Sequence, residues 1–126
     1  MSTKAAAIHA FWSRFGLKAY QDDSVPTGDD APQFPYLTYT LATDALGVDV
    51  ALSASLWYRG TSWVAPNAKA EEIAAAIGRG GVLLDCDGGK IWLKRGSPFA
   101  QSMGDPEDAM IKRKYLNITA EFLTAD

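Results

Sequence analysis

"IKRKYLNITAEFL", residues 111–123, is the stretch on which the fold turns. Leu116, Ile118, Ala120 and Phe122 fall on one parity, and Tyr115, Asn117, Thr119 and Glu121 on the other. A period of two belongs to a strand with one buried face and one face in solvent. The same rule governs "VDVALSASLWYRG", 48–60, where Val50, Leu52, Ala54, Leu56 and Tyr58 alternate with Ala51, Ser53, Ser55, Trp57 and Arg59. That pattern describes a half-buried antiparallel strand. Just upstream, "YLTYTLAT" at 36–43 is also strand-like, and the turn between Asp44 and Gly47 makes the two runs a hairpin. Downstream, "VLLDC" and "KIWLKR" flank Asp87, Gly88 and Gly89, a strong turn signal between two more strands. The predicted strands are therefore 36–43, 49–59, 82–86, 90–95 and 111–123.

Helical spacing appears in two places. Ile8, Phe11, Trp12 and Phe15 predict an amphipathic helix within 3–20, with Ser2 or Thr3 as N-cap and an interruption near Gly16. A second helix is predicted over 67–78, with Asn67 as N-cap, Glu71 and Glu72 toward its positive end, and Gly78, Gly80 and Gly81 stopping it. Its Ala-rich face has only Ile73 and Ile77 as large anchors, which suits close packing on a sheet. The expected fold class is α+β: a single, mostly antiparallel sheet of four to five strands with two helices packed on one face, in the order α-β-β-α-β-β(-β). One domain spans residues 1–126, without internal repeat or linker.

Two connections stand out. "QDDSVPTGDDAPQFP", 21–35, holds three prolines and four aspartates, the composition of a mobile loop, and loops of that length are usually functional or disordered. The other, after Arg95, places Pro98, Phe99, Met103 and Met110 in a connection expected to be polar. Apolar side chains there point to contact with another surface, and Met adapts to imperfect ones.

A chain of 126 residues supports one modest core, and its 48% hydrophobic and 21% charged residues are ordinary for a globular protein. A net charge of -3 argues against a protein that holds nucleic acid by neutralising many phosphates. Cys86 is the only cysteine, so a disulfide framework is excluded and assembly in a reducing cytoplasm fits. The start, "MSTKAAAIHAFW", lacks the apolar region of a signal peptide, and no apolar run approaches the roughly 20 residues that span a bilayer. No membrane role is expected.

No catalytic, metal or cofactor constellation emerges. His9 has no Cys, His or carboxylate partner at metal-ligand spacing, and reads as a surface or half-buried structural residue. Cys86 lies on an apolar strand and reads as core unless the fold brings a histidine to it. Asp85 and Asp87 could form a carboxylate pair but sit beside a turn, where solvated aspartates are common. Lys112, Arg113 and Lys114 suggest a basic patch, yet alternation sends Arg113 to the opposite face from its neighbours. Among the aromatics, parity sets Trp57 against Leu56 and Tyr58, and Trp92 against Ile91 and Leu93. If the helices cover one face, aromatics remain on the other, and an exposed apolar patch usually marks a contact surface.

The segments "FPYLTYTL", "LWYRGTSW", "AEEIAAAIGRGG" and "DGGKIWLKRGSPFAQSMGDPEDAMIKRKYLNITAEFLTA" together resemble the tail terminator or minor capsid (tail completion) proteins of long-tailed bacteriophages. The resemblance covers most of the chain from Phe34 onward and lies in the order of its parts: W-x-R-x-T-S-W closing a strand, a short helix, a small strand pair, a PFAQ loop and a long last strand. It implies a structural, non-enzymatic subunit that forms a ring, commonly a hexamer, at the head-proximal end of the tail tube, where it stops tube polymerisation and provides the joint to the head connector. The implied place is the phage virion, after synthesis in the host bacterial cytoplasm. The implied partners are further copies of the chain, the tail tube protein, a connector or stopper protein, and DNA passing through the lumen without specific binding. On this reading Trp57, Trp63, Trp92, Phe99 and Met103 are candidates for subunit or tube contacts. Asp22, Asp23, Asp29 and Asp30 are candidates for a lumen-facing acidic loop that repels phosphates. Alternatives are another head-tail connector or stopper ring, a small-ligand-binding or enzyme domain with a cleft lined by Trp57, Trp63 and Trp92, and a monomeric immunity or adaptor protein.

Overall fold

A computed structural model describes residues 2–126. In chain order it contains helix α1 (Lys4–Trp12), a 3-10 turn at Ser13–Phe15, strand β1 (Lys18–Gln21), a 3-10 turn at Gly28–Asp30, β2 (Tyr36–Tyr39), β3 (Val48–Arg59), helix α2 (Val64–Ile77), β4 (Val82–Cys86), β5 (Gly89–Gly104) and β6 (Ile111–Thr124). The six strands form one sheet in the order β1-β2-β3-β6-β5-β4. Only β1 and β2 run parallel; every other neighbouring pair is antiparallel. The class is α+β as expected, with one mixed six-stranded sheet in place of four to five strands.

Parity builds the core. Leu52, Ala54 and Leu56 of β3 and Leu116, Ile118, Ala120 and Phe122 of β6 are buried in one cluster with Ile8, Phe11 and Trp12 of α1 and Ala70, Ile73 and Ile77 of α2. Both helices therefore lie on the same face, and each large side chain buried there contributes about 1.5–3 kcal/mol. Helix α1 touches both edge strands, β1 and β4, so the sheet curls around it, while α2 lies across β3, β6 and β5. The long strand β6 sits at the centre, paired along its length with β3 on one side and β5 on the other.

Four boundaries differ from the sequence reading, each for a local reason. The first helix, N-capped by Thr3 through an Oγ1 that accepts the Ala6 N–H at 3.1 Å, ends at Trp12. Gly16, with φ of +78°, then turns the chain in a conformation that side chains disfavour. Lys18–Gln21, read as helix, instead pairs with Tyr36–Tyr39 as the sixth strand. Strand β2 stops at Tyr39 because the Thr40 hydroxyl takes the Ser53 N–H at 2.9 Å where a backbone carbonyl would continue the ladder. Helix α2 starts at Val64, three residues before Asn67; Ser62 Oγ accepts the Val64 N–H at 3.1 Å, and Pro66 sits in the first turn, where no intrahelical donor is needed. Asn67 is no cap, and its Oδ1 accepts from Lys114 Nζ at 2.8 Å.

The largest difference lies after Arg95. The apolar connection is strand: β5 resumes pairing with β6 at Ala100 after a slip in register between Arg95 and Ala100, and continues to Gly104. The irregularity re-aims side chains, as bulges do. Phe99 is half-buried and packs on the core, beside Asn67, Ala70 and Ala74 of α2. Only the tip of this long hairpin, 105–110, is a loop. There Asp105 Oδ1 accepts the Glu107 and Asp108 N–H groups at 2.8 and 3.1 Å, and Asp108 Oδ1 accepts the Met110 N–H at 2.9 Å.

Candidate interaction surface

The second parity forms the outer face of the sheet, opposite both helices. At one end the register aligns side chains from four strands in a row. Tyr36 of β2 stands opposite Trp57 of β3, Trp57 opposite Arg113 of β6, and Arg113 opposite Met103 of β5. Tyr36 and Trp57 stack, with ring centroids 6.1 Å apart and planes at 14°, and Tyr20 of β1 meets Tyr36 edge-on at 6.4 Å. Phe34 extends the group, its centroid 5.4 Å from Tyr36. Such contacts are worth about 0.5–1.5 kcal/mol beyond the area they cover, so the row is a defined surface.

Arg113 is fixed at its centre. The guanidinium carbon lies 4.8 Å from the Trp57 ring centroid and 5.3 Å from that of Tyr115, and Nε donates to Ser55 Oγ at 2.9 Å. Trp57 is held in turn, its Nε1 donating to Thr38 Oγ1 at 2.9 Å. Among the described residues Arg113 has no ion-pair partner. Beside it lies an open cleft of about 470 Å³ lined by Asp22, Val25, Tyr36, Thr38, Ser53, Ser55, Trp57, Arg113 and Tyr115, among others. Partial burial raises the Tyr36 hydroxyl above its ordinary pKa, so the phenol is neutral here near pH 7.

The far end of the same face is internally paired. Lys94 Nζ lies 3.1 Å from Glu121 Oε1, 3.6 Å from Asp49 Oδ1 and 4.4 Å above the Trp92 ring centroid. Its pKa is raised, first by the hydrogen bond to Glu121. Trp92 Nε1 donates to the Gly80 carbonyl at 2.7 Å, and Gly81 makes room for the ring: a Cβ there would sit 2.5 Å from Nε1. Leu83 and Leu123 remain exposed beside this group.

The five predicted contact residues are therefore not one surface. Trp57 and Met103 flank Arg113, and Met103 is 41% exposed. Trp92 shares their face but stands opposite Glu121, eight residues along β6 from Arg113, or about 26 Å at ~3.3 Å per residue. Phe99 faces the helices, correcting its assignment to an outward loop. Trp63 precedes α2, with Lys112 Nζ and Lys114 Nζ at 5.8 and 6.0 Å from its centroid, away from the row. Of the three tryptophans, only Trp57 lines the cleft beside Arg113. Asp22, Asp23, Asp29 and Asp30 are all exposed on the β1–β2 connection, with Asp22 at the cleft rim and Asp29 and Asp30 on the Gly28–Asp30 turn.

Arg113, Tyr36 and Tyr20 join this surface although the sequence pattern does not single them out as contacts. A signal existed for Arg113, whose parity opposes Lys112 and Lys114; which strands flank β6 was not readable.

Elsewhere, Cys86 is buried on β4, and burial pushes its thiol pKa up. His9 Nδ1 lies 2.8 Å from the Tyr39 hydroxyl. Asp85 pairs with Lys90 across the β4–β5 hairpin. Among the described residues no group of three His, Cys, Asp or Glu could hold a metal ion, and no helix is long and apolar enough to cross a membrane. No protein-family model matches the chain, and no curated protein matches it in sequence.

Proposed function

We propose that this chain is a structural virion subunit of a long-tailed bacteriophage that assembles as a ring, with a hexamer expected, at the head-proximal end of the tail tube. There it ends tube polymerisation and presents the joint to a connector or stopper protein, while DNA crosses the lumen without being held. The reading gives it no catalytic role. The phage assignment rests on the sequence resemblance. What the geometry adds in support is the uncovered sheet face with its row of Tyr36, Trp57, Arg113 and Met103, since aromatic residues, Met and Arg are the types enriched where proteins meet.

The test combines native mass spectrometry of the purified chain with electron microscopy of the chain added to tail tubes. A ring with a central opening, seated on tube ends and halting their growth, supports the reading. A 13.6 kDa monomer that neither associates nor binds tube ends overturns it. The cleft beside Arg113 favours a second reading, a small-ligand domain; a ligand that saturates a monomer and raises its melting temperature would support that instead.

A further inference from the structure

Two features of the chain carry opposite charge and, among the described residues, lack a partner. Arg113 is pinned between Trp57 and Tyr115, with Nε spent on Ser55, so both terminal nitrogens of the guanidinium are left for another acceptor. Residues 21–35 hold four aspartates and no lysine or arginine, and among the described residues none of the four makes an ion pair. Asp22 lines the rim of its own cleft without pairing to Arg113; Asp29 and Asp30, on the exposed Gly28–Asp30 turn, do not line it. We propose that the Gly28–Asp30 turn of one subunit docks on the Tyr36–Trp57–Arg113 cleft of the next, with Asp29 or Asp30 accepting from the Arg113 guanidinium.

The charge balance decides between this contact and the lumen. Carboxylates gathered around one axis repel one another and oppose ring closure, with no cation in the loop to offset them. A guanidinium offered as a rigid fork binds a carboxylate through charge-assisted hydrogen bonds, and prior fixing of the side chain lowers the ordering cost of that contact. Aromatic walls around it exclude water and strengthen the pair. A turn on one subunit seated in a cleft on the next can repeat head to tail, the geometry that generates rings when the rotation closes.

This inference rests on the ring reading, and a charge exchange separates the two. Wild type is compared by native mass spectrometry with Arg113→Glu, with Asp29→Lys/Asp30→Lys, and with an equimolar mixture of the two variants. Wild type should form a ring, and each variant alone should associate at least tenfold more weakly. In the mixture every contact is complementary, because the acidic cleft of the first variant meets the basic turn of the second, and the native cleft of the second meets the native turn of the first. Rings of alternating subunits should therefore return. Recovery also proves that neither variant is misfolded; circular dichroism checks each alone. Rings that persist in either variant, or a folded mixture that stays monomeric, overturn the contact while leaving the ring. A latch within one subunit gives that second result. Wild type that never associates, alone or on tube ends, overturns both.

Discussion

The two faces of this sheet are made by alternate residues of the same strands, yet they solve different problems. On the inner face Leu56, Leu116, Ile118 and Phe122 meet side chains of α1 and α2 and are almost fully removed from water. On the outer face Trp57, one residue from Leu56, and Arg113, three from Leu116, meet only their neighbours on that face and solvent. Binary patterning is enough to build the inner face, because any well-sized apolar residue of the right parity fills it. The outer row has directed contacts: a stack, two cation–π pairs and two side-chain hydrogen bonds, which fix orientation at little gain in core. Such order on a half-buried face that no helix covers suits recognition more than folding.

The difference should be largest when a matched pair is truncated. Phe122→Ala is expected to cost about 3–5 kcal/mol in urea unfolding, the usual range for an aromatic removed from a tight core. Trp57→Ala should cost less than half as much while weakening self-association at least tenfold. Equal losses of stability with unchanged association would erase the distinction between the faces.

The outer face can then be divided. Trp92→Ala should leave association within about twofold of wild type, because Lys94, Glu121 and Asp49 already pair at that end, while thermal stability falls modestly as the bond to the Gly80 carbonyl is lost. If Trp92→Ala abolishes association as Trp57→Ala does, the working surface extends along the whole sheet.

Much of the inner face could be read from the chain, and little of the outer one. The parity of 48–60 and 111–123 places every core residue of β3 and β6, since burial and strand geometry impose the same period. The same parity sets Trp57, Arg113 and Tyr115 outward, but neighbours across a sheet depend on strand order, which local pattern does not encode. The β5 extension is obscured by Gly96, Pro98 and Gly104, residues that punctuate loops in most contexts; here the register slip absorbs Pro98 and lets pairing resume at Ala100. Lys18–Gln21 is four residues long and has no alternation that marks it as a strand; its partner β2 defines it. Phe99 shows the consequence, because a side chain expected in an outward loop lies half-buried against the core once its strand is formed.

The smallest expected effect contrasts the row with the hairpin tip. The Met110 N–H, and then Arg59, hold the Asp108 carboxyl below its ordinary pKa. A carboxyl depressed in the folded state adds stability above its unfolded pKa of about 3.9 and loses it as pH falls through the lower folded value. Asp108→Asn should therefore narrow the gap in stability between pH 7 and pH 3, slightly and without effect on association. A gap equal to that of wild type would show that the tip contributes nothing to acid sensitivity.

Most direct for the outer face is hydroxyl-radical footprinting of Tyr36, Trp57 and Met103 as subunit concentration is raised through association. The expected result is protection of these three side chains in step with the growth of the ring, with the exposed Leu83 at the far end unchanged. Association without protection of the row would contradict the claim that this face is where the subunits meet.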